Sequence, residues 1–225
     1  MSDYTLYTYW RSSCAARLRI ALNLKDISYD LVPVNLLKNE HLSPEHKARN
    51  PSGTVPLLVR NNNGPEPFKI GQSVAALEYL DEVHPNSSSP LLPPASNPEA
   101  RATVRTLVNI VACDVQPVTN LRIIRRVAAL GGNTEEWSQE LIVDGLRAYE
   151  AVAAGCAGKY SYGDSPTLAD VCLMPNVWNA RRNKVPLDPF PTVVRIVENL
   201  EKLPAVKKAS YFKQPDTPED MRSHD

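Results

Sequence analysis

The chain has 225 residues, with 25 Lys+Arg against 25 Asp+Glu, and that balance argues against nucleic acid as the main partner. The length suffices for one large domain or two modest ones, and either can bury a real core. No apolar stretch reaches transmembrane length and no signal peptide is evident. The four scattered cysteines (Cys14, Cys113, Cys156 and Cys172) form no Cys-x-x-Cys pair, so the chain reads as reduced and cytoplasmic, with no membrane partner. The four histidines, His41, His46, His84 and His224, lack metal-ligand spacing, and no metal site is expected.

Element types alternate along the first third. Thr5 to Trp10 predicts a strand, and Ser13 to Leu24 a helix with Cys14, Leu18, Ala21 and Leu22 on one stripe. Asp30 to Val34 predicts a second strand and Val55 to Arg60 a third. Asn61-Asn-Asn-Gly64 is a hairpin turn signal leading to a fourth strand at Pro67 to Ile70. Ser73 to Val83 predicts a helix with Val74, Leu77 and Leu80 inward. The order is β-α-β-loop-β-β-α: a parallel pair with a crossover, followed by an antiparallel hairpin.

Residues 84 to 98 hold five prolines and four serines. They cannot continue a helix or a central strand and read as a linker, pinned to the surface by Leu91 and Leu92. Strand signals then vanish. Glu99 to Val115 and Val118 to Leu130 predict helices separated or kinked at Pro117, the second stopped by Gly131-Gly132. Thr134 is read as the cap of a long helix to about Ala154, with Glu135 and Glu136 in its acidic first turn. Thr167-Leu-Ala-Asp170 is a capping-box variant, Cys172 a core candidate, and Thr192 to Leu203 a further helix. This half reads as an all-α bundle.

Ser12-Ser13-Cys14 carries the most chemistry. Two hydroxyls and a thiol sit where a strand turns into a helix, and unpaired N–H groups with the helix dipole favour negative charge there. Such a turn can hold a thiolate, either that of Cys14 or that of a bound thiol. Pro56 opens a strand, as an ordinary trans proline or as a cis proline that leaves the preceding backbone able to pair with a ligand. Gln72-Ser73 can bind a carboxylate, or Ser73 can be a simple helix cap. Two basic clusters (Arg122, Arg125 and Arg126; Arg181, Arg182 and Lys184) fit solvated helix faces or a pocket for a small dianion.

These features recur in an order and spacing that resembles the cytosolic glutathione transferases, and more narrowly their zeta class, the maleylacetoacetate isomerases. Ser-Ser-Cys-x-x-Arg-x-Arg-Ile-Ala-Leu stands at Ser12 to Leu22. Asn50-Pro51 with Val55-Pro56, Gly71-Gln72-Ser73, Gln116-Pro117 with Asn120-Leu121, Asn179-Ala180-Arg181-Arg182 and the tail Gln214-Pro-Asp-Thr-Pro218 also match, so the likeness spans nearly the whole chain. Two positions depart: Ala16 stands where the class has tryptophan, and His41 where it has glutamine.

The resemblance implies an α/β plus all-α fold. A thioredoxin-like domain (β-α-β-β-β-α with a cis proline, residues 1–86) would be followed by a linker (87–98) and an α-helical domain (99–225). It implies glutathione as coenzyme and a homodimer. Ser12, Ser13 and Cys14 would be the catalytic turn, with Ser12 donating to the glutathione sulfur and Arg17 a second basic group near it. Val55, held by cis Pro56, would pair with the cysteinyl amide. Gln72 and Ser73 would take the γ-glutamyl carboxylate and His41 the glycine end. Gln116 and Asn120 would close the site from the helical domain, and Arg182 would hold a carboxylate of a small anionic substrate.

The implied reaction is the cis–trans isomerisation of maleylacetoacetate to fumarylacetoacetate in tyrosine and phenylalanine catabolism, with transferase activity toward small α-halo acids. Thiolate addition turns the double bond into a rotatable single bond, and elimination regenerates the thiol. The alternatives are a general detoxifying transferase or a non-catalytic module of the same fold.

Overall fold

The computed structural model describes residues 2–61, 67–85, 87 and 89–222. Strands β1 (Tyr4–Thr8), β2 (Tyr29–Pro33), β3 (Leu57–Arg60) and β4 (Phe68–Ile70) are joined by helices α1 (Ser13–Leu24), α2 (Pro44–Arg49) and α3 (Ser73–Val83). Helices α4 (Pro98–Asn109), α5 (Leu121–Ala129), α6 (Thr134–Ala153), α7 (Leu168–Arg182), α8 (Pro191–Leu200) and α9 (Pro204–Ala209) follow. The chain divides into two compact units, Met1–Pro90 with Leu203–Asp225, and Leu91–Lys202.

In the first unit the sheet order is β2-β1-β3-β4. Strand β1 runs parallel to β2, with Leu6 opposite Leu31, and antiparallel to β3, with Leu6 opposite Leu58; β4 pairs antiparallel with β3. The crossover and the antiparallel pair are therefore as the sequence predicts; the turn Asn61–Gly64 lies largely outside the described residues. The segment read as a loop before β3 contains a 3₁₀ turn (Glu40–Leu42) and α2, which Ser43 caps by accepting from the His46 N–H at 3.1 Å. Val55–Pro56 is cis.

Helix α1 departs from its predicted single stripe. Every residue from Ala15 to Leu22 is buried, Arg17 and Arg19 among them. One side meets α3 and another meets α9, because the tail from Leu203 onward belongs to this unit and not to the helical one. The amphipathic pattern shows one apolar face; the second covering element is contributed from far along the chain.

In the second unit Leu91 and Leu92 are buried, and the Leu91 carbonyl accepts from the Leu168 N–H at 2.8 Å. The proline-rich segment is thereby anchored at the start of α7. Asp170 accepts the Thr167 N–H at 2.8 Å, the reach-back that the capping box predicts. The cap of α6 is Asn133, one residue before the predicted Thr134; its Oδ1 accepts from the Glu135 and Glu136 N–H groups at 3.1 and 3.2 Å. The last predicted helix ends earlier, at Leu200, and α9 begins a separate one.

The first helix of this unit also changes character. After Asn109 the backbone continues as a π-helix over Ile110–Val115, a form that recurs at functional sites. Here α6 comes close: a Cβ at Gly145 would fall 2.0 Å from Val115 Cγ2. Only glycine permits that approach, and the π-segment delivers the chain to Gln116–Asn120.

Candidate functional site

The Ser-Ser-Cys turn forms because β1 ends at Thr8 and the Ser12 N–H closes a turn on the Tyr9 carbonyl at 2.9 Å. Ser12 is the N-cap of α1, its Oγ accepting from the Ala15 N–H at 3.2 Å. A serine hydroxyl has one proton and two lone pairs. The helix uses a lone pair, which leaves the proton for a ligand. Ser13 and Cys14 are the first two residues of α1, both half-buried, so their N–H groups lack intrahelical acceptors. No acidic residue lies in this first turn, so the positive end of the helix is not neutralised locally.

Val55 is buried and shares an apolar cluster with Tyr9, Trp10 and Val34. Its backbone N–H and C=O make no hydrogen bond among the described residues. The Thr54 carbonyl before it accepts from Asn50 Nδ2 and from His46 Nε2, each at 2.9 Å. Asn50 is itself buried, and a Cβ on Gly71 would lie 2.6 Å from its Oδ1. Asn50 therefore fastens the loop before Val55 directly beside Gly71-Gln72-Ser73. The motif spacing of Asn50 and Gly71 does not announce this role, nor does the lack of metal-ligand spacing at His46, which is 4% exposed in a helix where no other residue is buried.

At the N-terminus of α3 the cap position is Gln72, whose exposed side chain makes no capping bond. Ser73 is the first helical residue and is buried, so the simple-cap reading of Ser73 does not hold. Its Oγ instead accepts from Arg17 Nη1 at 3.1 Å. Arg17 is 2% exposed; it lies beneath the surface and braces α3 against α1. His41 sits in the 3₁₀ turn, half-buried, its carbonyl close to Gly53 at φ +57°.

In the second unit Gln116 ends the π-helix, and Asn120 caps α5. The Asn120 side chain is used locally: Oδ1 accepts from the Ile123 N–H at 3.1 Å and Nδ2 donates to the Pro117 carbonyl at 2.9 Å. Arg181 and Arg182 end α7, both exposed. Arg181 is paired with Glu201 on the turn after α8.

Known proteins share this architecture. The chain matches the glutathione S-transferase N-terminal domain over residues 2–82 and the C-terminal domain over residues 130–214. It is 62% identical to a maleylacetoacetate isomerase of Aspergillus fumigatus, over 97% of this chain and 94% of that one. The chain belongs to the glutathione transferase family. Its zeta-class character follows from two solved structures. One is a maleylacetoacetate isomerase of Anaeromyxobacter dehalogenans with bound glutathione, 39% identical, TM-score 0.86, covering 97% of this chain and 100% of that one. The other is a bacterial zeta-class maleyl pyruvate isomerase, 39% identical, TM-score 0.87, covering 95% and 100%.

The residues fit the family's coenzyme. A tripeptide thiol needs a donor for its sulfur, a backbone edge for its amide and donors for its carboxylates. Ser12 has an uncommitted hydroxyl proton, Val55 an unpaired edge, and Gln72 an exposed amide at a helix N-terminus.

Proposed function

We infer that this protein isomerises maleylacetoacetate to fumarylacetoacetate with glutathione as coenzyme, and that it also acts on small α-halo acids. The observation that carries the reading is Ser12: its lone pair serves the Ala15 N–H at 3.2 Å, so its proton is available to a sulfur at the N-terminus of α1. A bound glutathione supplies a thiolate able to add to the cis alkene and leave again once rotation has occurred.

The chain's own residues prepare that chemistry. Ser12 donates to the sulfur, and the unpaired N–H groups of Ser13 and Cys14 with the α1 dipole favour the anion. A cysteine-type thiol has pKa about 8.5 in water, and such surroundings lower it by about a unit or more. Val55 offers its N–H and C=O to the cysteinyl amide. Gln72 and the α3 N-terminus take the γ-glutamyl carboxylate, with Ser73 held in place by Arg17. His41 reaches the glycine end. Asn120 shapes the segment after Gln116 through its own backbone bonds, and Arg182 grips a substrate carboxylate and offsets the enolate charge.

The protein acts as a cytoplasmic homodimer; sedimentation at micromolar concentration should give about twice the 24.9 kDa chain mass. No helix among the described residues is long and apolar enough to cross a membrane. The deciding experiment is purified protein with maleylacetoacetate, with and without glutathione. Turnover that does not depend on glutathione, or none at all, refutes the reading.

A further inference from the structure

The tail motif Gln214-Pro-Asp-Thr-Pro218 has no part in the chemistry above, yet it lies against the turn that carries it. The Trp10 N–H donates to Asp216 Oδ2 at 2.8 Å. The Trp10 carbonyl accepts from Arg19 Nη2 at 3.1 Å. Arg19 also donates from Nη1 to Thr8 Oγ1 at 2.9 Å and from Nε to the Ala209 carbonyl at 3.2 Å. Both peptide groups flanking Trp10, two residues before Ser12, are thus held, the N–H by the tail and the carbonyl by Arg19 of α1, which the tail carbonyl of Ala209 anchors in turn.

The tail that carries Asp216 is itself fastened by buried hydrogen bonds. Gln214 and Thr217 are buried; Gln214 Nε2 donates to the Ser210 carbonyl at 2.6 Å and Thr217 Oγ1 to the Tyr211 carbonyl at 2.7 Å. The Tyr211 ring lies 6.1 Å from that of Trp10 and packs on the cluster that contains Val55. Arg19 is fully buried, and desolvation lowers its pKa to about 10 while Tyr29 first, then Asp216, oppose that fall. Asp216 Oδ1 is buried with no hydrogen-bond partner among the described residues, a costly arrangement that the nearby guanidinium offsets.

We propose that the tail from Tyr211 to Thr217 is a positioning element for the Ser12 turn, with Asp216 as the positioning residue. Asp216 and Arg19 grip Trp10 from its two sides and fix where Ser12 presents its hydroxyl. The inference rests on the role proposed for Ser12 toward the glutathione sulfur.

Three readouts test it: hydrogen exchange of the Trp10 amide without ligand, ultraviolet titration of the bound glutathione thiolate, and turnover. In the unsubstituted protein the Trp10 amide should exchange more slowly than that of Arg11. Asp216→Ala should speed Trp10 exchange about tenfold or more, raise the pKa of the bound thiol, and lower kcat about tenfold or more through misplacement of the turn. Asp216→Asn, which keeps an oxygen to accept the Trp10 N–H, should recover most of the exchange protection and the thiol ionisation. A purely structural role would lower the melting temperature and leave the thiol pKa in place; that result overturns the proposal. Equal exchange at Trp10 and Arg11 in the unsubstituted protein also overturns it, and this needs no variant to fold. Failure of the unsubstituted protein to bind glutathione removes the role of Ser12, and with it the inference, whatever the exchange rates show.

Discussion

Ser12 has one observed role and one proposed role, and two substitutions separate them. Its Oγ caps α1 through the Ala15 N–H at 3.2 Å, and its proton is proposed to stabilise the thiolate. Ser12→Ala and Ser12→Gly both delete the donor, and loss of one such donor costs about 10²- to 10³-fold in kcat. They differ in the cap. Alanine at an N-cap costs about 1 kcal/mol, glycine only a few tenths. The Ser12 backbone, at φ −72° and ψ 117°, suits both residues. For a chain of this length 1 kcal/mol corresponds to about 2–4 °C in melting temperature. Steady-state isomerisation at saturating glutathione and thermal melting should therefore show equal, large losses of turnover, with the melting temperature lower for alanine than for glycine. Cys14→Ala should mainly change glutathione affinity. If Ser12→Gly keeps normal turnover, or if Cys14→Ala abolishes turnover while Ser12→Ala spares it, the assignment is wrong.

Gly145→Ala should destabilise the protein despite alanine's better helix propensity, about 1 kcal/mol over glycine, because the 2.0 Å approach to Val115 Cγ2 forces overpacking that costs about 1–3 kcal/mol. Adding Val115→Ala should relieve it, so denaturant midpoints that are simply additive would contradict this packing account. Arg182→Ala should raise KM for anionic electrophiles and leave neutral ones and glutathione affinity nearly unchanged. Arg181→Ala should cost only its exposed pair with Glu201, about 0–1 kcal/mol; an equal KM rise for neutral and anionic substrates in the Arg182 variant would show a packing defect instead. Burial first, then the charges of Lys25 and Arg60, hold His84 below the ordinary histidine value of 6.5. The folded state thus binds fewer protons than the unfolded one in that window, and stability falls as pH drops from 6.5 toward the lowered value. Melting temperatures across that range should fall less steeply in His84→Gln than in the unsubstituted protein, and parallel curves would exclude this source.

Much of the site could be read directly from the residues. The Ser-Ser-Cys turn, the Asp170 reach-back and the Gln72-Ser73 helix start are local matters, decided by hydrogen bonds and periodicities within about four residues, and the parallel and antiparallel strand pairs, which join Leu6 to Leu31 and Leu58, follow from the order of the elements and the connections between them. Small local misreadings have local causes. Asn133 and Thr134 are both good caps, and which of them caps depends on backbone angles that composition does not specify. The burial of α1 on every side is different in kind. It requires α9, and the bond from Arg19 to Ala209 spans 190 residues. No periodicity in α1 announces a partner at that separation, so the sequence gives no sign that Arg17 and Arg19 are buried until the fold encloses them. The same holds for Gly145, whose missing Cβ matters only because Val115 arrives there, and for Asp216, a polar residue in a polar tail until it meets Trp10. Motif and cap were determined by the chain's local chemistry. Which cations are buried, and which end of the chain steadies the Ser12 turn, were decided only when distant apolar faces found one another.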